Sequence, residues 1–192
     1  MVSTVEGQRY HSIKQKKNLC GPTCLQMILF RWGVWMDQEA LAARIGLRID
    51  EDDRQLYMLP LETAPKDNLS MLGIKLTEFN DSKAKEALED HSMMPQVHLI
   101  RDIDNPHQFL IDNLDADHDI MANFWWGPIN GKQNGHYVLV CSYDPETKEV
   151  TICDPSTEEK NYQKYDLQKL VDAMHPRWNG EERGFLVVKP KR

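Results

Sequence analysis

GHYVLVCSYDPETKEVTICDPS, residues 135–156, is two apolar runs joined by a turn. Tyr137–Cys141 and Val150–Cys153 are rich in β-branched residues, and Asp144-Pro145-Glu146-Thr147 suits a type I turn with Pro145 at its second position. The stretch therefore reads as an antiparallel hairpin. With the turn on those four residues, Tyr143 pairs with Lys148, and counting back puts His136 beside Pro155 and Asp154 at the open end. A carboxylate there can hold an imidazole in the tautomer and orientation that a general base needs. A histidine that merely starts a strand is more often structural, so the pair gains meaning only if a third reactive group joins it.

Lys14–Trp32, KQKKNLCGPTCLQMILFRW, offers that group more than a hundred residues upstream. Pro22 stands where a first helical residue would, because its fixed φ and missing N–H suit that place. The run Thr23–Trp32 then carries Leu25, Ile28, Leu29 and Trp32 on one stripe with Cys24 and Met27 beside it, which predicts a largely buried helix ended by Gly33. Cys20 lies at the helix N-terminus, where unpaired N–H groups and the macrodipole favour a thiolate. Cys24 lies one turn inside, where a thiol packs as a small hydrophobe. A Cys-x3-Cys pair lacks the second ligand pair of a zinc site, so no metal is expected.

Elsewhere the punctuation is legible. Asp37 caps a helix QEALAARI that Gly46 stops, Pro65–Leu72 reads as helix, Ile74–Phe79 as strand, and Ser82 caps KAKEALEDH. Pro95–Ile100 reads as strand, Asn105-Pro106 opens the helix HQFLIDNL, and His118–Trp126 is a strand that enters the glycine-rich loop GPINGKQNG. Helix Asp166–Met174 and strand Gly184–Val188 follow. Helices come first and mostly antiparallel strands late, an α+β plan in one domain over residues 1–192.

Composition is that of a globular protein. A net charge of −7 disfavours a partner that must be tracked along phosphates, so no nucleic acid is expected. The acidic clusters Asp50–Asp53 and Asp112–Asp119 are expected on solvated loops. No apolar run approaches the roughly 18 residues that span a bilayer, and the N-terminus lacks a secretory pattern. Few cysteines and no signal make a reducing cytoplasm the expected location, with no membrane partner.

Gln15…Cys20-Gly-Pro-Thr-Cys-Leu-x-Met-Ile-Leu, then Gly135-His136-Tyr-Val-Leu-Val, then Ile152-Cys-Asp154-Pro resembles the papain-like cysteine peptidases, and most closely the peptidase domains of bacteriocin-processing ABC transporters and their stand-alone relatives. The motifs cover about the first 45 residues and the last 80. The resemblance implies a papain-like fold in which a long central helix starts at the nucleophile and packs on the late sheet. It also implies Cys20 as nucleophile, His136 as base and Asp154 as orienting acid, acting on a peptide or amide with no cofactor. A second resemblance, in Ala122-Asn-Phe, Gly-His136-Tyr, Asp172-Ala-Met and Arg183-Gly-Phe-Leu, is to phytochelatin synthases, which transfer or hydrolyse a γ-glutamylcysteinyl unit of a thiol peptide on the same fold.

One departure stands out. The papain pattern has an oxyanion-hole glutamine six residues before the nucleophile, whereas Gln15 is five before Cys20. This departure is what supports a third reading, a papain-fold binding protein with little catalysis. Trp125 and Trp126, with Gly135 at the far end of the glycine-rich loop, are the expected substrate contacts. Cys141 and Cys153 are expected in the core, and the remaining histidines carry no assigned role.

Overall fold

A computed structural model of the chain describes residues 8–16, 18–45, 47–49, 56–58, 83–131, 135–156, 162–175 and 183–191. Helices α1 (Cys20–Arg31), α2 (Gln38–Arg44) and α3 (Lys83–Glu89) occupy the first half, with a small antiparallel pair, β1 (Leu47–Ile49) and β2 (Leu56–Met58), between α2 and α3. A six-stranded sheet follows: β3 (Met93–Leu99), β4 (Asp119–Trp125), β5 (Gly135–Asp144), β6 (Glu149–Cys153), β7 (Tyr162–Asp166) and β8 (Gly184–Pro190). Its order is β3-β8-β4-β5-β6-β7, and every neighbouring pair is antiparallel. Between strands lie α4 (Pro106–Asp115), the single turn α5 (Gly127–Asn130) and α6 (Leu167–Asp172). The α+β plan read from the sequence is the one adopted.

The sheet is covered on both faces. On one side α1, α2 and α3 bury Leu25, Ile28, Leu41 and Leu88 against Met121, Leu139, Cys153 and Leu186. On the other, α4 and α6 bury Leu110, Leu167 and Leu170 against Ile120, Val138, Ile152 and Phe185. Strands clad on both faces lose the polar alternation of a half-exposed sheet, which is why IMANFW and YVLVC read as continuous apolar runs.

Helix α1 begins at Cys20, two residues before the start expected at Pro22. Pro22 falls in the first turn, where its missing N–H costs no helical bond, while Thr23 donates its hydroxyl back to Leu19 O at 2.7 Å. Residues Gly21–Leu29 are all buried, and Gly33, at φ 81°, closes the C-terminus in a conformation that suits glycine. Trp32 departs from the buried stripe: it is exposed and donates its indole N–H to Asp119 Oδ2 at 2.5 Å. Asp37 and Asn105 cap α2 and α4 as expected, accepting from the Glu39 and Gln108 N–H groups.

The hairpin forms, with a different register. Asp144 pairs with Glu149 rather than Tyr143 with Lys148, because the turn sits one residue later on Pro145–Lys148, with Lys148 at φ 60°. A bulge at Cys141, between the pairs Val140–Ile152 and Ser142–Thr151, then takes back one residue of the shift. Strand β7 and turn α5 were not expected: β7 is a polar edge strand, and α5 occupies the start of the glycine-rich loop. The acidic-cluster expectation fails at Asp119, which is fully buried. Asp50–Asp53, Gly46, the helix expected over Pro65–Leu72, the strand expected over Ile74–Phe79 and the Ser82 cap lie outside the described residues.

Candidate active site

Three elements meet at one end of the sheet. The N-terminus of α1 presents Cys20, the first residues of β5 present His136, and Asp154 lies one residue past the end of β6. The His136 ring donates from Nε2 to Asp154 Oδ1 at 2.8 Å, and the same carboxylate oxygen accepts the Ser156 N–H at 2.8 Å. An ionised carboxylate only accepts, so this bond puts a proton on Nε2 and leaves Nδ1 for the Cys20 thiol, with which the ring hydrogen-bonds. Asp154 reaches the ring diagonally across the hairpin, since the β5–β6 register ends at the pair Leu139–Cys153, three residues along β5 from His136.

Electrostatics distinguish the two thiols of the helix. Burial by itself raises the Cys20 pKa, but the hydrogen bond and charge of His136, with backbone bonds to Tyr137 and Gly21, outweigh it and hold the thiol below its ordinary range. Burial pushes Cys24 well above that range, and the neighbouring thiols and Asp154 add to the effect. Cys20 is also the one partly exposed thiol of the four; Cys24, Cys141 and Cys153 are buried and free. For His136, burial favours the neutral ring, but the hydrogen bonds to Asp154 and Cys20 win and raise its pKa to about 9. Burial works on Asp154 in the opposite sense to its bond with His136, and the net effect holds the carboxyl below its usual range.

The imidazole is packed by aromatic rings from the far side of the sheet. Trp126 stacks on it with centroids 5.0 Å apart and planes 25° apart, and Phe124 meets it edge-on at 6.0 Å. Trp126 is buried, so its contact is with His136; Trp125, the end of β4, is half-buried and carries the Arg183 guanidinium 5.1 Å from its ring centroid.

Gly135 borders the same cation. A Cβ at Gly135 would lie 2.6 Å from Arg183 Nη1. Asn123 completes the group, accepting from Arg183 Nη1 at 3.1 Å and donating from Nδ2 to the His136 backbone O at 3.3 Å. The sequence reading did not assign Asn123 and Arg183 to the site. Their signal was present: a polar Asn inside the otherwise apolar Ile120–Trp125, and an Arg opening an apolar strand, both need buried partners.

Gln15 is tied to Pro155, the residue after Asp154, rather than lying away on a solvated loop. Its N–H donates to Pro155 O at 2.8 Å, and its side-chain Oε1 is buried without a hydrogen-bond partner among the described residues. The short connection to Cys20 is drawn in by the Leu19 N–H to Lys16 O bond, with Asn18 at φ 63°. Asparagine is one of the few residues that accepts this conformation readily.

A thiol at a helix N-terminus, bonded to a carboxylate-held imidazole, is equipped to attack a carbonyl carbon. The Peptidase C39-like family model matches residues 7–183. The chain belongs to that family. Among solved structures, this C39-like chain is similar to one described as a C39-like peptidase from Bacillus anthracis, at 16% identity, with 95% of this chain and 96% of that one covered and a TM-score of 0.60. That likeness shows the fold. It is also similar to a double glycine motif protease from an AMS/PCAT transporter in complex with its leader peptide, at 13% identity, 94% and 91% coverage and a TM-score of 0.44. No curated protein matches. Family membership makes the chain a cysteine peptidase-like hydrolase. Among the described residues no group of three His, Cys, Asp or Glu side chains could hold a metal, and no helix is long and apolar enough to cross a membrane.

Proposed function

We propose that this C39-like chain cleaves a peptide or amide bond through a thioester on Cys20, in one domain spanning residues 1–192. The observation that carries the reading is the run of contacts from the Cys20 thiol through the His136 ring to Asp154. The Cys20 thiolate attacks the carbonyl carbon, and the oxyanion is met by the Cys20 backbone N–H and the Gln15 amide. His136 then donates its proton to the leaving amine, and water activated by the same ring hydrolyses the thioester. Asp154 keeps the ring in the required tautomer throughout. Trp125 and Gly135, at the rim where β4 and β5 end, are the proposed substrate contacts, and Trp126 holds the ring. Four cysteines that are all free suit a reducing compartment, and the cytoplasm is the proposed place of action.

The test is selective alkylation. One equivalent of iodoacetamide near neutral pH, followed by peptide mass mapping, is expected to label Cys20 ahead of Cys24, Cys141 and Cys153, and Cys20→Ala removes that label. Equal labelling of the four thiols would leave the binding-protein reading in possession. Incubation with glutathione separates the γ-glutamylcysteine reading: release of glycine would replace the peptidase proposal, while cleavage of a peptide library without glycine release supports it. The family match is to the peptidase side.

A further inference from the structure

His136 is held by its ring on one side and by its backbone on the other, and the backbone support traces to a single buried cation. Arg183 stands immediately before β8, in the β8-β4-β5 row that ends at the active site: Gly184 faces Asn123 across β8 and β4, and Asn123 faces Tyr137 across β4 and β5. The residue is 7% exposed. It lies over the Trp125 ring, donates to Asn123 Oδ1 and closes on the Cα of Gly135, the residue before His136. Asn123 in turn donates to the carbonyl of His136. Two independent contacts, one through Asn123 and one steric at Gly135, thus run from one planar fork to the segment that carries the imidazole.

We infer that Arg183 is a positioning residue which, through Asn123 and Gly135, fixes the backbone of His136 so that the ring meets Cys20. The inference rests on the proposed role of Cys20 and His136 in acyl transfer. A guanidinium is suited to the task because it is flat and rigid and presents several donors at fixed angles, whereas an ammonium is a point charge on a flexible stem. Its contact with Gly135 explains why that position has no side chain: the guanidinium occupies the space in which a Cβ would sit.

The readout is Cys20 alkylation by iodoacetamide across pH, on the full chain, with thermal unfolding measured in parallel. In Arg183→Met the Cys20 rate at neutral pH is expected to fall about tenfold, the scale of a displacement well under 1 Å at a reacting group, and its pH profile to move up toward an ordinary thiol. Arg183→Lys keeps the charge without the fork and is expected to behave the same. Gly135→Ala, which pushes the guanidinium away, should produce the same profile in the parent chain and add nothing in Arg183→Met. A residue that only stabilises the fold would lower the unfolding temperature and leave the profile of the folded protein in place. An unchanged profile in folded Arg183→Met, full reactivity in Arg183→Lys, or additive effects with Gly135→Ala overturns the inference. If Arg183→Met does not fold, an unchanged profile in folded Gly135→Ala does so. The foundation is tested separately: a parent chain whose Cys20 labels no faster than its other thiols removes the acyl-transfer reading itself, whereas a fast parent and an equally fast Arg183→Met removes only Arg183.

Discussion

Cys20 and His136 define a pH window because each favours the charge of the other. Hydrolysis should appear as pH rises through the lowered Cys20 pKa and disappear as His136 loses its proton near pH 9. The same shift has a stability sign. The His136 pKa is raised from its ordinary 6.5, so its contribution is fully present below pH 6.5 and is lost as pH rises through about 9. Asp154→Asn removes the carboxylate that raises it. The alkaline limb of kcat/KM should then move down in pH, and kcat should fall by about 10²–10⁴. A limb that stays near 9 would mean that Asp154 does not govern the ring. At this scale the sequence was informative about identity and poor about packing. Cys20 could be told from Cys24 because a helix start and a position one turn in have opposite effects on a thiol. Trp126 could not be told from a cleft wall, because only the fold turns it onto the imidazole.

Residues 8–16 behave as a strap that carries Gln15 across the sheet end. The strap is tied at Tyr10, whose carbonyl accepts the Tyr162 hydroxyl, at Gln15, which donates to Pro155, and at Lys16, whose N–H donates to Gln38 Oε1 at 2.8 Å. Buried Gln38 also takes the Thr23 hydroxyl and gives its amide to Lys14 O. Gln38→Leu therefore removes the acceptor of the Lys16 N–H and the donor to Lys14 O, while Thr23 keeps its bond to Leu19 O, and should destabilise by about 1–3 kcal/mol. It should also lower kcat in the folded enzyme, since the strap that places Gln15 is loosened. Chemical denaturation and initial rates check the two effects, and an unaltered kcat would detach Gln15 from the strap. The hairpin shows where element-level legibility ends. Its strands and the meeting of His136 with Asp154 were readable from alternation and turn chemistry. Its register was not, because nothing in VLVCSYD marks a bulge and Lys148 is not a residue that advertises a positive φ.

One buried polar network joins three segments. Fully buried Asp119, at the start of β4, accepts from Arg31 Nη1 at 2.9 Å and from the Trp32 indole, with Arg9 Nε 3.7 Å away. Exposed Asp117 is bound to Arg9 and Arg31 as well. Asp119→Ala should cost about 3–5 kcal/mol, because it removes the buried partner of the Arg31 ion pair. Asp117→Ala should cost at most about 1 kcal/mol, because water screens that pair. Urea unfolding distinguishes the two, and equal losses would contradict the assignment. In the sequence both are members of one acidic run. Composition says that acids prefer solvent, and only the tertiary arrangement selects which one is enclosed by arginines.

Strand β8 lies between β3 and β4, although it is the last of the six to leave the ribosome. Until residues 184–190 have been made, β3 and β4 each present an open edge to the slot where β8 belongs. A chain stopped after Arg183 should therefore associate through those edges, and a monomeric truncation on size-exclusion chromatography would argue against it. Arg183 arrives with that strand. Thus Cys20 is synthesised early but acquires its finished surroundings only after some 160 further residues have emerged, roughly 8–30 seconds later at elongation rates of about 5–20 residues per second. On the proposed reading of Cys20 as nucleophile, a thiol timed in this way should stay idle beside the nascent chains around it until its own synthesis has passed the sheet's central gap.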